Sequence, residues 1–161
     1  MPLAEQITAM GRAAREASRI LGVALPEARN RALLTLADLL ESHVTEILAA
    51  NKMDTDAAER AGMDAPRLAR LRVTPDIIAE MAIACREVAA QHDPLGSLET
   101  RWRRPNGLLI GTMRVPLGVV AMIFESRPNV TIEASILCLK SGNAAILRGG
   151  SEALHSYLCL A

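Results

Sequence analysis

The stretch that most restricts this 161-residue chain runs over residues 114–151, RVPLGVVAMIFESRPNVTIEASILCLKSGNAAILRGGS. Residues 119–124 form a short, continuously apolar run rich in branched side chains, the pattern of a strand buried on both faces of a parallel sheet. Glu125 interrupts it. Pro128 fixes its own φ and pushes Arg127 away from the helical region, so residues 125–129 are expected as a loop. A helix over about residues 130–141 follows, with Ile132, Ile136, Leu137 and Leu139 on its apolar flank and Gly142-Asn143 at its end. Residues 144–147 read as a second strand. Arg148-Gly149-Gly150-Ser151 reads as a second loop, with Ser151 placed to cap another helix.

Two parallel strands joined by a right-handed helical crossover put both post-strand loops at one sheet edge, where open α/β sheets bind ligands. The loops 125–129 and 148–151 are therefore expected to face a common cleft. Each carries an arginine, and the second adds glycines and a free helix N-terminus, which suit phosphate. The pattern alone equally fits an ordinary Gly-Gly turn flanked by solvated arginines, because one strand–helix–strand unit serves many functions.

The chain is long enough for a sizeable core, and 50% hydrophobic residues with a mean hydropathy of +0.19 exclude disorder. Eighteen basic residues balance eighteen acidic ones and aromatics make up 2%, so neither a global field nor stacking platforms favour nucleic acid. The N-terminal MPLAEQITAMGRAAREASRI lacks the apolar core of a signal peptide, and no run is long enough to span a bilayer; a cytoplasmic protein is expected. Cys85, Cys138 and Cys159 are odd in number and far apart in apolar helical contexts, against a disulfide framework or a zinc site.

The region up to about His92 reads as helical scaffold. Ile7, Met10, Ala14, Ala17 and Leu21 share a face of a first helix that ends at Gly22. A second starts at Pro26; Leu33, Leu36, Ala37, Leu40, Val44, Ile47 and Leu48 keep its period, with Arg29, Arg31, Asp38, Glu41 and Glu46 as polar positions around the stripe. Asn51 is placed to cap a third helix ending at Gly62. Asp64 and Pro66 open a fourth. Thr74-Pro75 begins a fifth, whose buried side is Ile77, Ile78, Met81, Cys85 and Val88. Met10, Met53, Met63 and Met81 are expected as core gap-fillers, and His43 and His92 as surface residues. Asp93-Pro94-Leu95-Gly96 is a turn, and residues 99–104 and 108–115 around Pro105-Asn106-Gly107 read as a β-hairpin exposing Trp102, Leu109 and Met113. The division is residues 1–98 helical, 99–117 the hairpin and 118–161 the strand–helix–strand core, an α/β fold with the start of a parallel Rossmann-like sheet.

PLGVVAMIFESRPNVT followed by LCLKSGNAAILRGGSEA closely resembles the gamma-glutamyl phosphate reductases, or glutamate-5-semialdehyde dehydrogenases, a branch of the aldehyde dehydrogenase superfamily. The resemblance covers essentially the whole chain. It implies an aldehyde dehydrogenase-like fold, NADPH/NADP+ as cofactor, and reduction of L-glutamyl 5-phosphate to L-glutamate 5-semialdehyde in proline biosynthesis. It also implies a homo-oligomer joined through a ribbon at the hairpin, association with glutamate 5-kinase, and a cysteine thioester whose cysteine lies downstream of Ala161. Cys138 is not that cysteine, because a thiol deep in the crossover helix has a raised pKa and no substrate access. Arg127 aligns with an oxyanion-binding asparagine of the superfamily; here it is expected to meet the substrate phosphate, with Ser126 and Asn129 shaping the pocket, or else to pair with Glu125. Arg148 aligns with a ribose-contacting lysine, and Ser151 lies where a hydroxyl approaches the cofactor 2′-phosphate, which favours NADPH over NADH. Gly149 and Gly150 complete that cofactor loop, and Glu152 either joins it or serves only as a favourable charge at a helix start. The apolar end SYLCLA carries no helix stop signal and reads as an interrupted domain, so the chain by itself is expected to be inactive. A stand-alone reductase is expected over part of a bifunctional enzyme. The competing reading is a non-catalytic nucleotide-binding or oligomerisation module.

Overall fold

The computed structural model describes residues 2–161. Its elements run α1 Leu3–Val23, α2 Pro26–Ser42, α3 Val44–Arg60, α4 Ala65–Leu71, α5 Pro75–Ala90, β1 Leu98–Arg103, β2 Leu109–Met113, β3 Val119–Ile123, α6 Asn129–Lys140, β4 Ala144–Arg148 and α7 Leu154–Leu160, with a 3-10 turn at Ser151–Ala153. This is the α/β arrangement expected. No helix among the described residues is long and apolar enough to cross a membrane.

The main core lies where α2, α5 and α6 meet. Leu33, Ala37 and Leu40 of α2 pack against Ile78, Met81, Ala82 and Cys85 of α5 and Ile132 and Ile136 of α6. Each set repeats at three- and four-residue spacing, so one stripe per helix is buried. A leucine or isoleucine fully removed from water, as Leu33 and Ile78 are, contributes about 1.5–3 kcal/mol. The starts of α4 and α5 are fixed locally: Asp64 accepts from Arg67 N at 2.9 Å and Thr74 from Ile77 N at 3.3 Å.

Several helical expectations are corrected. The stripe from Leu33 to Leu48 spans two helices, broken at His43 (φ −110, ψ 25), whose Nδ1 and the neighbouring Ser42 Oγ both lie against Leu39 O. A single non-helical residue with no glycine or proline leaves the period nearly intact, which hides the break. Asn51 is not a cap. It sits mid-way along α3, 3% exposed, donating to Leu71 O (2.9 Å) and Ser156 Oγ (3.0 Å) and accepting from Val73 N (2.8 Å). Arg29 is not a rim residue either, being 4% exposed. It donates to Lys140 O and to the Asp93 carboxylate, both at 2.7 Å, while Lys140 Nζ donates to Asn30 Oδ1, Ala89 O and Gln91 O. Two cations thus close the carbonyl ends of α6 and α5, where helix dipoles favour positive charge. Burial pulls the Lys140 pKa down, against the opposing pull of Asp93. Of the methionines, Met81 is core and Met63 packs beside Ala58, Leu71 and Ala153, but Met10 and Met53 are exposed. α1 runs one residue past Gly22 and buries none of its residues; its Met10, Ala14 and Leu21 line an apolar cleft against α6 and β4.

β3 and β4 pair in parallel, Val119 opposite Ala144 through Ile123 opposite Arg148. α6 crosses between them and ends on Gly142 (φ +69), where an added Cβ would come within 2.9 Å of Leu95 Cδ1 and 3.3 Å of Leu21 O. Asn143 Oδ1 accepts from Gly118 N at 2.8 Å, tying that turn to the approach to β3. β3 is not buried on both faces as expected: with β4 as its one hydrogen-bonded neighbour among the described residues, Ile123 is 76% exposed. β1 and β2 form the expected antiparallel hairpin. Its three-residue loop closes with Arg104 N donating to Leu108 O at 2.8 Å, and the positive φ falls on Gly107 alone, Asn106 instead accepting from Leu108 N through its side chain.

Candidate functional site

β3 delivers its following loop to the end of the parallel pair, where Phe124 N still donates to Arg148 O at 3.0 Å. The loop then tightens, with Arg127 N donating to Glu125 O and Val130 N to Arg127 O, around a fully buried Pro128. Across from it, Ser126 Oγ donates to the Glu152 carboxylate. That bond joins the two post-strand loops, and the Ser126 hydroxyl holds the Glu152 carboxyl below the usual glutamate range. Beneath them the Phe124 and Tyr157 rings meet edge to face, 5.4 Å between centroids at 78°.

A cleft of about 410 Å³ opens at this junction. It is lined by Glu125, Ser126 and Arg127 of the β3 loop, Val130 of α6, Glu152 of the 3-10 turn, Met63 from the approach to α4, and Arg67 and Arg70 of α4. Arg67 and Arg70 of α4 are absent from the sequence reading. Their signal is two arginines one turn apart on a short capped helix, and it points nowhere until α4 is placed beside the β3 loop. Arg67 is held by Asp64 at 3.5 Å and attracts Glu152; Arg70 and Arg127 form no ion pair among the described residues. Arg127 is thus not paired with Glu125, the alternative the sequence leaves open. The cleft combines three guanidinium groups, suited to phosphate or carboxylate oxygens, with two carboxylates.

The other candidate residues lie around this cleft. Asn129 opens α6 and donates to Glu133 Oε1 at 2.7 Å, so Val130 takes the place at the cleft wall. Arg148 and Ser151 are exposed at the end of β4, outside the cleft and with no side-chain hydrogen-bond partner among the described residues. Gly149 and Gly150 are not positive-φ glycines. Space constrains Gly149, since a Cβ there would fall on the Tyr157 ring, whereas a Cβ at Gly150 would meet only the end of the Glu152 side chain, which would have to shift. Ser151 does not cap the following helix. It lies inside the 3-10 turn, and the start of α7 is held from α3, where Asp54 accepts from His155 N (3.1 Å) and Ser156 N (2.7 Å). A buried carboxylate on a neighbouring helix outcompetes a local hydroxyl because its bonds are charge-assisted. Glu152, likewise in the 3-10 turn, spends its charge on Ser126 and not at the start of an α-helix.

None of the three thiols lines the cleft. Cys85 and Cys138 are buried, and burial pushes both thiols up; Cys159 is exposed on α7. Among the described residues no cluster of His, Cys, Asp and Glu could hold a metal ion. The exposed Arg148 guanidinium and Ser151 hydroxyl are donors of a kind that suits a phosphate, whereas the space over Gly149 and Gly150 is taken by the protein's own side chains.

Residues 3–161 match the aldehyde dehydrogenase family. The gamma-glutamyl phosphate reductase of Nitratidesulfovibrio vulgaris is 65% identical over all of this chain and that of Caulobacter sp. 49% over 99% of it; in each case the chain spans 38% of the relative's length. Crystal structures of gamma-glutamyl phosphate reductases superpose closely. That of Thermotoga maritima has a TM-score of 0.89 at 41% identity, covering 91% of this chain and 36% of the other. That of Saccharomyces cerevisiae has a TM-score of 0.92 at 34% identity, covering 100% of this chain and 40% of the other. With the strand–helix–strand unit, its two joined loops and a match over nearly every residue, this chain belongs to the aldehyde dehydrogenase family.

Proposed function

We propose that the chain contributes the arginine-bearing wall of an active site that reduces L-glutamyl 5-phosphate to L-glutamate 5-semialdehyde with NADPH, releasing phosphate, in proline biosynthesis. The observation that carries this reading is Arg127, exposed and without an ion pair among the described residues, beside Arg70 and Arg67 in one cleft at the end of β3. The relatives' shared name supplies the substrate class. An acyl phosphate brings a doubly charged leaving group, and Arg127 meets its oxygens while Ser126, locked to Glu152, and Asn129, locked to Glu133, fix the loop that carries it. A cysteine thiolate outside these residues displaces the phosphate to give a thioester. NADPH, when bound, supplies the hydride that converts the acyl group to the aldehyde. Arg148 and Ser151 bind the cofactor's 2′-phosphate, a charge-assisted contact of about 1.5–3 kcal/mol that selects NADPH over NADH by roughly ten- to a hundred-fold. Gly149 and Gly150 let the loop lie flat on Tyr157 and Glu152, which leaves Arg148 and Ser151 facing outward.

The same reading makes the protein a cytoplasmic homo-oligomer, associated with glutamate 5-kinase. It is tested by phosphate-dependent reduction of NADP+ with glutamate 5-semialdehyde, using the gene's complete product. Arg127→Ala is expected to raise the KM for phosphate at least tenfold, and an unchanged phosphate KM removes Arg127 from the phosphate site.

A further inference from the structure

We infer that the same cleft reads the amino-acid end of its ligand, with Arg70 taking the α-carboxylate and Glu125 the α-ammonium. The inference rests on the proposed glutamyl phosphate reaction for the placement of phosphate at Arg127.

Among the described residues, charge is left unpaired in the cleft. Five charged side chains line the cleft: Arg67, Arg70, Arg127, Glu125 and Glu152. Two of them are already engaged, Glu152 by the Ser126 hydroxyl and Arg67 by Asp64. The remaining three, Arg70, Arg127 and Glu125, form no side-chain hydrogen bond or ion pair among the described residues. The protein therefore presents two cations and one anion with nothing of its own to satisfy them. A glutamyl phosphate is the complement, carrying two anionic groups, phosphate and α-carboxylate, and one cation, the α-ammonium.

The placement follows from the walls. Arg127 and Glu125 stand on the loop after β3, and Arg70 in the last turn of α4, a separate element lining the same cleft. With phosphate on Arg127, Arg70 is, among the described residues, the remaining unpaired cation of the cleft for the α-carboxylate. The volume of about 410 Å³ lies within the roughly 300–1,000 Å³ typical of small-molecule sites. Arg70 is a guanidinium at the end of a short capped helix, so its fork is presented by a fixed backbone.

The test is calorimetric titration of the gene's complete product with L-glutamate, with glutarate, which lacks the α-ammonium, and with 4-aminobutyrate, which lacks the α-carboxylate. Arg70→Ala is expected to weaken L-glutamate and glutarate about tenfold or more and to leave 4-aminobutyrate unchanged. Glu125→Gln is expected to weaken L-glutamate and 4-aminobutyrate and to leave glutarate unchanged. In the reverse reaction, Arg70→Ala should raise the KM for glutamate 5-semialdehyde without moving the KM for phosphate. Equal losses for all three ligands, no change in any, or no binding of L-glutamate by the unaltered protein would overturn the inference. If the unaltered protein shows no phosphate-dependent turnover, the proposed reaction fails, and the three-ligand pattern still decides the roles of Arg70 and Glu125.

Discussion

At the scale of single residues, the Ser126–Glu152 hydrogen bond determines how the two post-strand loops stay together. A hydroxyl donor stabilises the ionised carboxylate, and Glu152 is accordingly held below the usual glutamate range, first by Ser126 and then by backbone hydrogen bonds. The unfolded chain therefore binds the proton more tightly than the folded one, and stability rises with pH across that window. The contribution is complete above the ordinary glutamate pKa, about 4.3, and is lost as pH falls through the lower folded value. Ser126→Ala in the gene's complete product should cost about 1 kcal/mol at pH 7, the partial exposure of Glu152 reducing a charged hydrogen bond to that size. Thermal melts across pH would check it: the gap between variant and parent should narrow as pH falls below the ordinary glutamate pKa, about 4.3, and close once pH passes the lower folded value. A gap of constant size would show that the bond is not to a titrating carboxylate. None of this is visible in the sequence, where Ser126 and Glu152 are 26 residues apart.

At the scale of elements, α7 shows how little local propensity settles. A helix of seven residues is far below the roughly 12–15 needed for an isolated helix to persist in water, so α7 exists by docking. Asp54 accepts from His155 N, Ser156 N and Ser156 Oγ, and Asn51 donates to the same hydroxyl. α7 in turn carries Tyr157, which supports Phe124 and fills the space over Gly149. Asp54→Ala would leave the His155 and Ser156 N–H groups, the Ser156 hydroxyl and the His155 Nδ1, which lies 2.7 Å from Asp54 Oδ1, without that carboxylate, and about 3 kcal/mol of destabilisation is expected. Amide exchange in α7 should accelerate more than in α2 or α5, and uniform protection would refute the docking role. The spacing Ile47, Asn51, Asp54, Thr55, Ala58 is a helical stripe, and all five residues are buried. The polar members mask it, which is why Asn51 reads as a cap.

At the scale of the whole molecule, the hairpin and the sheet edge, together with α1, leave apolar side chains uncovered among the described residues. Trp102, Leu109 and Met113 are 42–55% exposed on a two-stranded ribbon of a kind that is marginal when isolated. We propose residues 99–117 as the oligomerisation ribbon, between a helical part over 1–98 and the cofactor-binding core over 118–161. Trp102→Glu should then lower the mass of the gene's complete product in light scattering while its circular dichroism stays the same, tryptophan being the side chain most often central to such contacts. An unchanged mass would take the ribbon out of the interface.

What the sequence determined by itself is the set of features decided within a few residues. These are the strands and crossover helix of the parallel pair, the Asp64 and Thr74 caps, the Gly142 stop and the Gly107 hairpin loop. Steric and hydrogen-bonding preferences of neighbours set each of them, and neighbours are legible. Tertiary structure alone decided which polar side chains go inside and what shares the cleft with Arg127. Arg29 reaches the Lys140 carbonyl across 111 residues and Asn51 reaches Ser156 across 105. Burying a polar group costs several kcal/mol without a partner and little with one, so its fate depends on a group that no local window contains. Arg67 and Arg70 follow the same logic: on α4 they are surface arginines, and the packing of α4 beside the β3 loop makes them a wall of the site.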